Sequence, residues 1–261
     1  MSNEFETEER ARQGRRRFIG AGAGLLGLAW TTQASAGWNW YCARPRPCFL
    51  SGTRIETETG LVSVEDLKAG DRVKTLDGQF KAIRWIGHTT AEKTSTQNWS
   101  NNDAPVLIAK GAFGDGMPRT DLRVSPHHAF YFDGVLVRAK DLVNGLNVKR
   151  ETNHAANELR YFHVELDRHD VIYAEAALAE TYRVQNANRA LFDNAPKRSD
   201  AGTDNAPFAP ILGLTRKEKI VVQIKSALLP SRNHAGRIGE INRAIIARAG
   251  QADTNGHRKA A

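Results

Sequence analysis

Two residue types in this chain are suited to nucleophilic chemistry. It contains two cysteines, Cys42 and Cys48, and an adjacent histidine pair, His127 and His128. A thiol is a good nucleophile only as the thiolate, and because its unperturbed pKa is about 8.5 the site must supply a base. An amide nitrogen must be protonated as it leaves, which a histidine with a pKa of about 6.5 can do near neutral pH. Cysteine and histidine alone do not distinguish attack within the chain from attack on another molecule.

A second set of titratable residues is spaced by two positions. It consists of His163, Glu165, Asp167 and His169. In a regular strand this spacing places all four side chains on one face. Such a face binds a metal, supports a catalytic site or is simply polar. We favour the last two interpretations and predict neither a metal nor a cofactor.

The elements that position these residues belong to an ordinary globular chain. Its 261 residues are 41% hydrophobic and 25% charged, which excludes disorder throughout, collagen-like repetition and a coiled coil. Two cysteines do not build a disulfide scaffold, and no apolar run reaches the ~18 residues that span a bilayer. The sequence predicts a soluble protein with a packed core.

The positive charge is concentrated at one end. Of the net charge of +8, residues 190–261 contribute +6 and residues 37–189 only +1. A nucleic-acid enzyme spreads basic charge over its working surface, so we predict no nucleic-acid partner. The basic tail instead suits contact with a protein or an anionic surface.

The amino terminus resembles an export signal. An arginine run precedes a short Gly/Ala/Leu stretch that ends in Ala-Ser-Ala, and the run is similar to a twin-arginine signal. The residues that form the pattern are Arg15, Arg16, Arg17, Phe18, Ala34 and Ala36. Cleavage after Ala36 leaves a mature chain beginning at Gly37. The resemblance implies transport of the folded protein by the twin-arginine machinery to the periplasm or the exterior.

Regularly spaced short strands are predicted between about 53 and 175. Apolar or alternating runs recur there, including TRIET, DRVKT, FKAIRWI, AFYF and DVIYAE. Asp77-Gly78 and Asp133-Gly134 predict two-residue hairpin turns, because glycine accepts a positive φ. This pattern indicates an all-β domain.

An internal repeat relates two parts of this region. Residues 61–73 and 136–148 share L-V-x-x-x-D-L-x-x-G-x-x-V at an offset of 75. Two copies are too few for a solenoid. They predict a pseudo-twofold domain built from two similar halves, although chance similarity of strand and turn sequences is the alternative.

The character of the chain changes after about Asn194. A polar, proline-containing linker is followed by aliphatic residues at helical spacing in 216–229 and 236–249. We predict two basic amphipathic helices. They pack on the β domain, pair with a partner or contact an anionic surface, and packing is the default.

Three sequence blocks resemble the Hedgehog/intein (Hint) superfamily, specifically its bacterial branch. They are CFLSGTRI from Cys48, LRVSPHHAFYFDGVLVRAKDLVNG and YFHVELDRHDVIYAEAALAETY. In the family's order they cover about residues 47–184. The resemblance implies a pseudo-twofold, horseshoe-like β fold. We divide the chain into a signal peptide (1–36), a short segment (37–47), the Hint domain (48–189), and a linker with a helical tail (190–261).

The resemblance also implies self-processing. The first cysteine of such domains attacks the preceding carbonyl, here in the Pro47–Cys48 bond, and forms a thioester that another nucleophile cleaves. Ser125 and His128 match the family's Thr-x-x-His motif, with serine in place of threonine. The match assigns His128 to the acid role and leaves Ser125 a hydroxyl that hydrogen-bonds the scissile amide. His127 is predicted to point to the opposite strand face.

Other residues match the family less closely. His169 falls at the position of a histidine in the family's penultimate block, and His163 falls near that block's aspartate, so both are candidate supporting residues. Asp103 lies roughly where Hedgehog-type domains place an acidic residue that activates an alcohol. Because its surroundings are featureless, we favour a surface turn for Asp103.

Protein splicing is not predicted. Inteins finish by cyclising an asparagine that precedes Cys, Ser or Thr, and no asparagine in this chain is followed by one of these residues. We therefore expect cleavage or transfer of the chain's own N-terminal segment to water or to an unidentified small nucleophile.

Processing before export would sever the export signal, so the site requires a gate. Pro47, which crowds the scissile carbonyl, is one candidate, and a Cys42–Cys48 disulfide in an oxidising space is another. Three departures favour the alternative of a catalytically silent binding or structural module: Ser125 for threonine, Ala176 where the family usually has glycine, and the missing C-terminal asparagine.

Overall fold

The structure is a computed structural model that describes residues 46–94, 98–184, 188–195, 206–213 and 234–258. The strands are β1 (Phe49–Leu50), β2 (Arg54–Thr57), β3 (Gly60–Ser63), β4 (Arg72–Lys74), β5 (Phe80–Ala82), β6 (Trp85–Glu92), β7 (Val106–Ile108), β8 (Leu122–Val124), β9 (Ala129–Phe132), β10 (Val135–Arg138), β11 (Val148–Arg150), β12 (Glu158–Glu165), β13 (Val171–Ala174), β14 (Ala177–Glu180) and β15 (Ile211–Leu212). The helices are α1 (Ala139–Leu142), α2 (His234–Arg258) and a 3₁₀ turn (Asn188–Leu191).

The strands form two sheets. One has six strands in the order β11-β7-β8-β1-β12-β6. The other has nine, in the order β15-β10-β9-β14-β13-β2-β4-β5, with β3 paired to β2. Short β1 lies inside the first sheet, where Phe49 is paired with Val124 and Phe162. Strand β1, which directly follows Cys48, is thereby held from both sides.

The internal repeat corresponds to a structural repeat. Strands β2 and β3 form a hairpin with a two-residue loop, and β9 and β10 form the same hairpin 75 residues later. Strands β6 and β12 pair antiparallel, with Gly87 opposite His163 and His88 opposite Phe162, which are equivalent positions under the same offset. The predicted mainly β, pseudo-twofold, horseshoe-like fold is confirmed.

The C-terminal helix packs on the β domain. Ile238, Ile241 and Ile245 of α2 are buried in the main core. The Asn242 side chain donates to the Asp141 carbonyl at 3.0 Å, and Asn147 donates to the Ile245 carbonyl at 2.8 Å. The helix predicted over 236–249 therefore packs on the β domain. None of the helices in the described ranges is both long and apolar enough to cross a membrane.

The two predicted glycine turns differ. Asp133 and Gly134 both have positive φ and join β9 to β10 as a two-residue turn, as predicted. Around Gly78 the prediction was wrong, because the Thr75 N–H donates to the Gln79 carbonyl and three residues, 76–78, form the loop. Only Gly78 has positive φ there. The Asp77 carboxylate instead accepts the Thr75 hydroxyl, which fixes the longer loop.

The two residues of the turn between β13 and β14 have positive φ, but neither is a glycine. Glu175 has φ 47° and Ala176 has φ 67°. A left-handed conformation costs a residue with a Cβ atom about 1–2 kcal/mol. Replacing Ala176 with glycine is therefore expected to raise the free energy of unfolding by about 1 kcal/mol, measured by urea unfolding followed by tryptophan fluorescence.

The neighbouring alanine provides the control. Ala177 is the buried first residue of β14, and because glycine weakens a strand, Ala177→Gly is expected to destabilise the protein. Equal destabilisation by both substitutions would contradict the assigned strain at Ala176.

Several sequence interpretations lie outside the described residues. These are the export signal, Cys42, and the predicted helix over 216–229.

Candidate active site

Cys48 lies immediately before β1 and is completely buried. Its thiol is free. Cys48 belongs to a buried cluster of apolar and aromatic residues that includes Tyr161 and Tyr182. Burial raises the pKa of the Cys48 thiol, and the nearby Arg46 guanidinium opposes this rise only in part. The resting nucleophile is therefore a protonated thiol that needs a base.

Ser125 binds both sides of the Pro47 residue. The Cys48 N–H donates to Ser125 Oγ at 2.8 Å, and Ser125 Oγ donates to the Arg46 carbonyl at 2.5 Å. The Ser125 N–H also donates to the Cys48 carbonyl at 2.8 Å. The only peptide carbonyl between these contacts is that of half-buried Pro47. The serine hydroxyl thus fixes the amide that precedes Cys48 from both flanks.

His128 is the buried histidine of the predicted motif. It directly precedes β9 and follows a turn in which its N–H donates to the Ser125 carbonyl at 3.2 Å. Its ring lies 4.2 Å from that of Phe49, between centroids, and neither ring nitrogen has a hydrogen-bond partner. Burial lowers the pKa of His128 to about 4. At neutral pH the ring is uncharged, so it accepts a proton before it donates one.

His127 is distinguished from His128 by burial. Pro126 and His127 form a turn rather than a strand, so the predicted reason, opposite strand faces, was wrong. His127 is half-buried, whereas His128 has no solvent exposure.

A second buried histidine contacts the first. The rings of His163 and His128 lie 5.1 Å apart between centroids. His163 is also fully buried, and neither of its ring nitrogens has a hydrogen-bond partner. Burial lowers the pKa of His163 well below its ordinary value, and the neighbouring His128 and His169 lower it further. His163 also packs against the Tyr182 ring at 5.3 Å. The structure therefore brings His163 to the site.

Glu180 was not identified from the sequence. Its buried carboxylate accepts the Ala129 N–H, directly after His128, at 2.8 Å. Its other oxygen lies 3.4 Å from His169 Nε2, while His169 Nδ1 accepts the Phe208 N–H at 2.9 Å. The negative charge of Glu180 opposes the effect of burial on the pKa of His128. A buried acid within the apolar run ALAETY was the only available sequence signal.

The predicted polar strand face does not extend over all four residues. Strand β12 ends at Glu165, so only His163 and Glu165 share its face. Glu165 forms a buried ion pair with Arg189, and Asp167 is exposed beside Arg84. In the described part of the chain no three His, Cys, Asp or Glu residues cluster as metal ligands. The regular strand assumed for the four-residue set was wrong because the chain turns after Glu165.

Asp103 lies in a turn, as we favoured, and it also reaches the edge of the site. Its carboxylate lies 3.5 Å from the Arg46 guanidinium. Its backbone carbonyl accepts the Tyr161 hydroxyl at 2.7 Å. Asp103 therefore contacts the segment that precedes the Pro47–Cys48 amide.

Comparison with known proteins relates the chain to one family. The family described as the Hint domain matches residues 47–186, which is more than half of the chain. Among solved structures, the chain is similar to a bacterial intein-like domain from Clostridium thermocellum, with 20% identity over 52% of this chain and 99% of that chain and a TM-score of 0.37. The gp41-1 intein is 14% identical over 51% of this chain and 98% of that chain, with a TM-score of 0.35. A DnaB intein from Synechocystis sp. PCC 6803 is 11% identical over 52% of this chain and 99% of that chain, with a TM-score of 0.35. No curated protein matches the chain. The family match establishes that the chain belongs to the Hint-domain family.

Proposed function

We propose that this chain cleaves itself at the Pro47–Cys48 bond through a thioester on Cys48. The observation that carries the proposal is the Ser125 hydroxyl, which accepts the Cys48 N–H and donates to the Arg46 carbonyl. Because the Ser125 hydroxyl accepts the Cys48 N–H, it holds the Pro47–Cys48 bond in one geometry beside the Cys48 thiol, which is the nucleophile. Holding reacting groups in place supplies a large part of the rate enhancement in such reactions.

The proton in this mechanism comes from the thiol itself. Neutral His128 takes the proton from the Cys48 Sγ as the sulfur bonds to the Pro47 carbonyl carbon. The resulting imidazolium then protonates the Cys48 nitrogen as the C–N bond breaks. The products are a Pro47–Cys48 thioester and a free Cys48 amine. Glu180 stabilises the imidazolium, because its charge favours the protonated form of His128.

The second step releases the upstream segment. Water or a small thiol, alcohol or amine attacks the thioester carbonyl, and the Cys48 thiol is regenerated. Pro47 is half-buried whereas Cys48 is fully buried, so the acceptor approaches from the Pro47 side. Without an asparagine that precedes Cys, Ser or Thr, the reaction stops at cleavage or transfer.

Export of a bacterial Hint-domain protein by the twin-arginine route is the second part of the proposal. Arg15 to Phe18 and the Ala-Ser-Ala ending at Ala36 support it. Signal removal then leaves an upstream segment of GWNWYCARPRP, residues 37–47, as the substrate. The Cys48→Ala variant, which keeps the upstream segment, is expected in the periplasm of a bacterial host with Gly37 as its first residue, and its recovery as an uncut chain from the cytoplasm alone would contradict the proposed export.

The intact mass of the full chain tests the cleavage. After incubation with and without dithiothreitol, we expect a fragment beginning at Cys48 and an upstream fragment ending at Pro47, with more cleavage when the thiol is present. Cys48→Ala is expected to remain intact, whereas the matched variant Cys42→Ala is expected to cleave like the unmodified chain. If the unmodified chain and Cys42→Ala both keep their full mass under reducing conditions, the proposed function is wrong.

A further inference from the structure

The side chain of Arg46, two residues before Cys48, is bound in a partly enclosed polar site. Its Nη1 donates to the Thr89 hydroxyl at 3.2 Å, and its Nη2 lies 3.5 Å from an oxygen of the Asp103 carboxylate. The side chains of Arg46 and Asp103 are only 24% and 26% exposed. This contact involves the substrate segment of the proposed reaction rather than the reacting atoms.

The groups that receive the guanidinium are themselves held in place. The second oxygen of Asp103 accepts the Ser100 hydroxyl at 2.7 Å, and the Asp103 carbonyl accepts the Tyr161 hydroxyl. The Thr89 hydroxyl lies 3.5 Å from an oxygen of Asp193, whose other oxygen accepts a backbone N–H of β6 at 2.8 Å. The Asp103 carboxylate thus contacts the guanidinium directly, and the Asp193 carboxylate contacts the Thr89 hydroxyl that accepts from it.

Arg46 is therefore fixed at both ends. Its carbonyl is bound by Ser125, and its side chain is bound by Thr89 and Asp103. Between these two anchors and Cys48 lies only Pro47, whose carbonyl is the one under attack. Anchoring residue 46 therefore sets the position of the scissile carbonyl. The Arg46 charge also lowers the pKa of the Cys48 thiol, against the effect of burial.

We propose that Thr89 and Asp103 form a subsite that selects an arginine at the second position before the scissile bond. The inference rests on the proposed cleavage and names the specificity of that same site. Arginine suits the subsite because its planar fork reaches two acceptors at once, whereas a lysine ammonium is a single point charge. Asp103 acts here as a specificity-determining residue, and Arg46 acts as part of the substrate.

The cleavage rate of full-chain variants tests the subsite. We expect Arg46→Ala and Asp103→Asn each to slow cleavage about five- to tenfold, the effect of losing a partly exposed ion pair, and Arg46→Lys to lie in between. The double variant is expected to be no slower than either single one, and the swap Arg46→Glu with Asp103→Arg is expected to recover part of the rate. Arg84→Ala is the matched control, because Arg84 also lies 3.5 Å from a carboxylate, that of Asp167, and it should cleave normally.

The outcomes separate this inference from the proposed function. If the unmodified chain cleaves and Arg46→Ala cleaves equally fast, the subsite is wrong and the function stands. If the unmodified chain does not cleave, the same substitutions are compared by thermal unfolding in a Cys48→Ala background. The subsite is supported if each single variant lowers the midpoint of thermal unfolding and the double variant lowers it no further. Additive shifts of the midpoint in the double variant overturn the subsite.

Discussion

Substitution of His128 by alanine is expected to slow cleavage at Pro47–Cys48 about 10²- to 10⁴-fold, the usual contribution of a positioned acid–base group. The buried thiol is protonated and has no solvent exposure, so bulk water does not replace the base. The departing Cys48 nitrogen needs a proton in the same step. One neutral imidazole serves both needs, and its loss removes both. The rate is measured from intact mass over time at fixed dithiothreitol concentration.

His127→Ala is the matched control for this substitution. His127 is adjacent and only half-buried, and it has no place in the proposed proton route, so its variant is expected to cleave at the normal rate. Because His128 is fully enclosed, His128→Gln is measured as well, with circular dichroism to establish that both variants are folded. A folded His128 variant that cleaves normally would overturn the proton route, and slow cleavage by His127→Ala would reassign the base.

The sequence motifs were sufficient to identify the site residues that lie on or next to short strands and turns. Cys48, Ser125 and His128 were identified from family spacing, and the structure brings Ser125 onto the Cys48 amide. The repeat at an offset of 75 predicted the pseudo-twofold symmetry, and Asp133-Gly134 predicted the two-residue turn between β9 and β10. These features depend on local sequence, because glycine, aspartate and alternating apolar residues act on their immediate neighbours.

The remaining features depend on contacts between distant parts of the chain. Glu180 reaches the His128 region only because β14 pairs with β9 and brings its carboxylate to the Ala129 N–H. Asp103 reaches Arg46 across 57 positions. FKAIRWI was predicted as one strand but forms the separate strands β5 and β6. Such pairings are set by tertiary packing, which single-sequence periodicity does not report.

Acidification from pH 7 to pH 5 is expected to lower the free energy of unfolding by about 2 kcal/mol through His128 alone. The pKa of this histidine is about 4 in the folded chain and about 6.5 when unfolded. Between these values the unfolded state binds more protons, so stability falls as pH falls through this range. His163, whose pKa is also lowered by burial, adds a loss of the same sign. Urea unfolding of full-chain Cys48→Ala at the two pH values measures the difference.

Ring substitution isolates the histidine contribution from that of other groups. Phe49, Phe130 and His163 surround the His128 ring, so phenylalanine fills the same space without titrating. His128→Phe is therefore expected to remove about 2 kcal/mol of the pH 7 to pH 5 difference, whereas His88→Phe, at a half-exposed ring, is expected to leave it unchanged. The carboxylates of Asp77 and Glu175, whose pKa values are lowered, stay ionised across this range and do not mimic the effect. Because the His163 contribution remains in His128→Phe, only an undiminished pH 7 to pH 5 difference in this variant would mean that His128 is not held neutral, and the thiol would then need another base.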